Sequence, residues 1–170
     1  TATGAAPFVP PIAGVSAAIT AERALLDPES VGKDAVIIGA GQVGVETGLW
    51  LLEQGRSVTI VEATERFMPQ ALYSDAEHAR ALLDYYGGRV LLGVCVEEIG
   101  ERLLRLRGAD GRPARLEPDT VILAAGYRAD PSVYERLRRE FPIVYNIGDS
   151  VRSRNIYHAV HEAYELASHL

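Results

Sequence analysis

The chain has 170 residues, 48% hydrophobic and 24% charged, which suits one ordinary domain with a buried core and argues against disorder as the main state. Its formal charge of -6, with arginines scattered among acids, offers no basic field for nucleic acid. No apolar run approaches the roughly 20 residues that span a bilayer, so no membrane segment is expected.

The opening "TATGAAPFVPPIAGV" is rich in glycine, proline and small residues and is expected to be an irregular connection. Broken by Pro7, Pro10 and Pro11 and lacking a basic start, it does not read as a signal peptide, and a cytoplasmic protein is expected. It also starts abruptly, with no strand before it, as a piece of a longer polypeptide would. Ser16 to Leu26 reads as a short helix ended by Pro28. From Asp34 the pattern becomes regular: a strand to Gly39, a helix from Gln42 to about Gln54 stopped by Gly55, and the strand "SVTIVE" ending at Glu62. Strand, helix and strand over about 30 residues form a βαβ unit with parallel strands and a right-handed crossover.

A second helix is expected from Ser74 to Tyr86, with Ser74 as cap, Glu77 three residues on, and Gly87-Gly88 as the stop. Short β-like runs follow: "RVLLG", "VCVEEIG", "RLLRLRG" and, across the "ADGRPA" turn, "RLEP". Asp110-Gly111 is a strong hairpin signal, and together these runs predict a small antiparallel insertion. "DTVILAAG" is continuously apolar, as a central parallel strand buried on both faces would be. Finally, "PIVYNIGDS" reads as a strand ending in Gly148-Asp149. "RNIYHAVHEAYELASHL" reads as a helix whose apolar face is Ile156, Ala159, Val160, Ala163, Leu166 and Ala167.

The single cysteine, Cys95, excludes an intramolecular disulfide, a C-x-x-C pair and a cysteine-ligated cluster within the chain, so redox work here needs a borrowed cofactor. Flanked by Val94 and Val96, it reads as a small buried apolar side chain. His158, His161 and Glu162 stand in the order H-x-x-H-E, which is not that of a zinc helix, and no metal site is expected. The charged run from Arg136 to Glu140 reads as a solvated face, and Ser150 and Ser153 lack a nucleophile elbow.

The chemistry concentrates in "VIIGAGQVGVETG", where Gly39, Gly41 and Gly44 form G-x-G-x-x-G between a strand and a helix. Gly39 permits the tight turn, Gly41 lets a diphosphate approach the backbone, and Gly44 lets the helix lie close to the strand. The amides at the helix start, at Gln42 and Val43, face the diphosphate with the positive end of the helix dipole. About 20 residues on, Glu62 can accept hydrogen bonds from both hydroxyls of an adenosine ribose and would repel a 2′-phosphate. NAD and FAD share the ADP half, so these residues alone do not separate them. Gly148-Asp149 before a helix is a second arrangement, outside the βαβ unit, suited to a ribityl hydroxyl or a phosphate.

Four segments carry a resemblance: the opening Ala2-Thr3-Gly4, "GAGQVGVE", "AAGYRADP" and the closing "IGDSVRSRNIYHAVHEAYELA". With them the chain resembles the C-terminal part of NADH:flavin oxidoreductases, the relatives of 2,4-dienoyl-CoA reductase and trimethylamine dehydrogenase. Ala13 and Ser153 stand where prolines are common in that family. The resemblance implies an α/β fold: a Rossmann-like βαβ dinucleotide-binding domain with a small antiparallel insertion and a C-terminal strand–helix belonging to an FAD domain. Residues 1–30 would leave the FAD domain, 31–130 would bind NAD(H), and 131–170 would return to the FAD domain. It implies that Gly39, Gly41, Gln42, Val43, Gly44, Glu62 and Gly126 serve NADH, with Glu46 near the nicotinamide end. Ala2, Thr3, Gly4, Gly148, Asp149, Asn155 and Ile156 would serve FAD. Asp149 would hold the ribityl chain, a helix cap being its alternative role. Such enzymes pass hydride from NADH to FAD and electrons onward through a [4Fe–4S] cluster to FMN in a β/α barrel. The cluster, the barrel and the first FAD half would be partners elsewhere in the same polypeptide, and a homo-oligomer is compatible with this. The rival reading is an ADP-binding scaffold without hydride transfer, as in trimethylamine dehydrogenase.

Overall fold

The computed structural model describes all 170 residues. Its strands are β1 (Ala5–Pro7), β2 (Ile19–Thr20), β3 (Asp34–Ile38), β4 (Ser57–Val61), β5 (Arg89–Leu91), β6 (Val94–Gly100), β7 (Leu103–Gly108), β8 (Pro113–Leu116), β9 (Thr120–Leu123) and β10 (Tyr127–Ala129). The helices are α1 (Ala21–Leu26), α2 (Gln42–Glu53), α3 (Tyr73–Tyr85), α4 (Ser132–Leu137) and α5 (Ile156–Ser168). They form two compact units, Val9–Gly126 and Thr1–Phe8 with Tyr127–Leu170.

In the larger unit a five-stranded sheet runs in the order β2-β9-β3-β4-β5, all parallel. Four successive residues of β3, Ala35 to Ile38, are buried, because both faces of the sheet are covered. Ile37, Ile60 and Ile122 point to one side and pack with Leu51 of α2 and Leu83 of α3. Val36, Ile38, Val61, Val121 and Leu123 point to the other and meet Ile99, Leu104 and Leu106 of the antiparallel sheet β6-β7-β8. Burying large aliphatic side chains stabilises by about 1.5–3 kcal/mol each, so both layers are held by the central sheet. The βαβ unit, the antiparallel insertion and the central place of β9 agree with the expected α/β fold.

Several expectations change. Ser16 to Leu26 is not one helix: a 3-10 turn at Val15–Ala17 and β2 precede α1, which starts at Ala21 with Thr20 as its cap. The Thr20 hydroxyl accepts from the Arg23 amide, and β2 is drawn into the sheet beside β9. Residues 9–30 therefore pack into the larger unit, whose limits are Val9 and Gly126 where the sequence divisions stand at 31 and 130. Ser74 lies inside α3, bonded to Asp75, and Leu72 occupies the cap without a side-chain bond. "RVLLG" joins the parallel sheet beside β4, not the insertion. Cys95 is exposed: along β6 Val94 and Val96 turn toward the core, so the period of two turns Cys95 outward.

In the smaller unit β1 pairs antiparallel with β10, so the opening segment contains an element where an irregular connection is expected. The strand expected in "PIVYNIGDS" is absent. The backbone of residues 142–147 pairs only with that of Thr1, whose amino group donates to Tyr145 O and whose carbonyl accepts from Ile147 N, and one residue cannot make a ladder. Gly148–Ser150 is a 3-10 turn. Most of the apolar face of α5 is exposed in this unit, with Ile156 82% and Val160 58% accessible, while Ala159 and Leu166 are half-buried. No helix is long and apolar enough to cross a membrane.

Candidate dinucleotide site

The glycine turn joins β3 to α2, and its three glycines do different work. Gly39 has φ 115°, and its amide donates to Val61 O at 2.8 Å; a Cβ there would lie 2.3 Å from Ala124 O. Gly44 is closer still, a Cβ meeting Gly39 O at 2.0 Å, so it serves the helix's approach to the turn. Gly41, the N-cap of α2, has φ -76°, and a Cβ on it would meet nothing within 4 Å. Space is therefore open beside the cap. The first amides of α2, from Gln42, Val43 and Gly44, have no carbonyl four residues back within the helix and remain for an anion. A diphosphate fits this turn by geometry and by charge.

Glu62 follows β4, and its carboxylate reaches back to the turn. Oε2 accepts from Ala40 N at 3.0 Å, while Oε1 accepts from the amide and the hydroxyl of Thr64, each at 2.9 Å. A carboxylate has about four acceptor positions, so the chain fills three of them and one is left on Oε2. In this conformation one acceptor position of Glu62 is open toward a ribose hydroxyl. Met68 closes the turn from the other side: it is buried, has φ 45°, and its amide donates to Ala40 O at 2.8 Å. Pattern reading found neither Thr64 nor Met68, since neither belongs to the glycine spacing; the polar Thr64 two residues after Glu62 is the one signal present. Glu46 is exposed one turn into α2 and accepts from Gln42 Nε2 at 2.9 Å. Gly126, with φ 96°, ends the larger unit beyond β9.

The residues expected to serve FAD all fall in the smaller unit. Gly4 has φ 82°, and Ala2 and Thr3 beside it are exposed. Gly148 has φ 69°, which accounts for the glycine, because a Cβ would make only an ordinary 3.7 Å contact with Ala159. Its amide donates to Glu162 Oε2 at 2.7 Å, and Glu162 also pairs with Arg154. These two contacts, the Arg154 bond first, hold the Glu162 carboxyl below its ordinary pKa. Asp149 Oδ1 accepts from Arg154 N at 3.1 Å. It does not cap α5: Asn155 does, accepting from His158 N, and Ile156 is the first helical residue. His161 Nδ1 lies 3.0 Å from Tyr157 O, and Glu162 is committed to Arg154 and Gly148.

Comparison with known proteins places this geometry. A family profile described as pyridine nucleotide-disulphide oxidoreductase matches residues 1–165. The cinnamate reductase of Clostridium sporogenes is 29% identical over 172 residues, covering 99% of this chain and 26% of that protein. The metal reductase of Desulforamulus reducens is 30% identical over 200 residues, 98% of this chain and 29% of the relative. Among solved structures, a 2-naphthoyl-CoA reductase superposes with TM-score 0.91 at 26% identity, over 99% of this chain and 26% of that one. The chain thus spans 26% to 29% of the length of these relatives. Matched over nearly all its residues, the chain belongs to the pyridine nucleotide-disulphide oxidoreductase family, within which its motif resemblance to the NADH:flavin oxidoreductases falls.

Proposed function

We propose that the larger unit is the NADH-binding module of a multidomain flavoprotein oxidoreductase and that the smaller unit is the returning part of its FAD domain. The observation that carries this is the open space at Gly41 beside unpartnered amides, with the Glu62 carboxylate bonded to the same turn. The amides of Gln42, Val43 and Gly44 bind the diphosphate, and the open acceptor position of Glu62 receives a ribose hydroxyl. Glu46 and Gly126 flank the nicotinamide end. Asp149 retains Oδ2 for a ribityl hydroxyl of FAD, while Ala2, Thr3 and Gly4 and the start of α5 at Asn155 and Ile156 line the flavin. Held there, NADH would supply a hydride to the flavin, whose electrons would pass onward through a [4Fe–4S] cluster and FMN outside this chain.

Anaerobic reduction of the FAD in the full-length protein tests this. NADH is expected to reduce it at least roughly tenfold more efficiently than NADPH, because Glu62 meets the 2′-phosphate with like charge and loses a charged hydrogen bond. Equal turnover of NADPH would contradict the assignment of Glu62. An ADP that copurifies, with no reduction by NADH, would place the chain with the non-catalytic scaffolds.

A further inference from the structure

We propose that Thr64 is a positioning residue for cofactor choice, holding the Glu62 carboxylate where the adenosine ribose arrives. This rests on the NADH reading above. A glutamate side chain on a strand end is free to turn, and fixing it costs rotamer entropy that an unrestrained acceptor would lose on binding. Here that loss is met before any ligand arrives. Two donors of Thr64, amide and hydroxyl, hold Oε1 at 2.9 Å each, and Ala40 N holds Oε2 at 3.0 Å. The hydroxyl is itself oriented, because it accepts from Arg66 N at 3.3 Å and so turns its single proton to Glu62. The turn from Glu62 to Arg66 is thereby a small hydrogen-bonded brace whose product is one fixed, unfilled acceptor position on Oε2. Thr64 is exposed and buries nothing in either core, so its hydroxyl can be removed without disturbing packing.

Thr64→Val keeps the shape and deletes the hydroxyl; Thr64→Ser keeps the hydroxyl. Affinities of the full chain for NADH, NADPH and ADP, with melting temperature, decide the matter. Thr64→Val is expected to weaken NADH roughly threefold to tenfold and NADPH by less than about twofold, narrowing the preference, while Thr64→Ser restores both. A merely structural role predicts equal weakening of both cofactors with a lower melting temperature, and that result overturns the proposal. Unchanged NADH affinity in Thr64→Val overturns it too, and leaves the NADH reading standing. If the unmodified chain bound neither NADH nor ADP, the NADH reading would fail first and Thr64 with it.

Discussion

Gly41 and Gly44 look alike in the fingerprint, yet the structure separates a ligand's requirement from the fold's. A Cβ on Gly44 would sit 2.0 Å from Gly39 O, so Gly44→Ala forces the helix away from the turn and should destabilise by about 1–3 kcal/mol or more. Gly41 has ordinary φ and open space, so Gly41→Ala meets no clash and should cost only about 0.5–1 kcal/mol in urea denaturation, the loss of a glycine N-cap to alanine. Equal losses at the two positions would mean that the space beside Gly41 is not open in solution. The glycine turn and the place of Glu62 beside it were legible because each is a residue type at a required spacing. The Thr64 brace was not, since a hydrogen bond between side chains two residues apart leaves no periodicity. Cys95 was misread because its valine neighbours imitate a run buried on both sides, whereas the strand alternates.

Among elements, those with a strong period or a firm stop were read correctly: β3, α2, β4, the Asp110-Gly111 hairpin and β9. Those that depend on a neighbour were not. A two-residue strand such as β2 has no sequence period and exists because β9 pairs with it, and the apolar run before Gly148 lacks a backbone partner beyond Thr1. At the other end of that run Glu162 anchors α5 to the Gly148 turn, and its depressed pKa sets the pH dependence. A carboxyl with a folded pKa below its unfolded value contributes stability above the unfolded pKa and loses it as pH falls through the folded one. The Gly148 amide resonance should therefore stay constant from neutral pH down and shift only at a pH below the ordinary glutamate range, because the Arg154 and Gly148 bonds hold the Glu162 carboxylate ionised. Glu162→Gln should abolish that acid transition; a transition near pH 6 in the parent chain would show that Glu162 is not the group responsible.

Across the whole molecule, the residues proposed for NADH fall in the larger compact unit and those proposed for FAD in the smaller one. The larger unit carries a complete glycine turn with its supporting carboxylate, so the account holds that nicotinamide cofactor binding resides there. The most direct test is calorimetric titration of NADH into the chain, side by side with Gly41→Val, whose side chain would fill the diphosphate's place. Saturable binding is expected for the parent chain, with a loss of at least roughly tenfold in Gly41→Val, which stays folded with its melting temperature lowered by only about a few degrees through the poorer N-cap. Equal NADH affinity in the two proteins, or no binding by a folded parent chain, would contradict it.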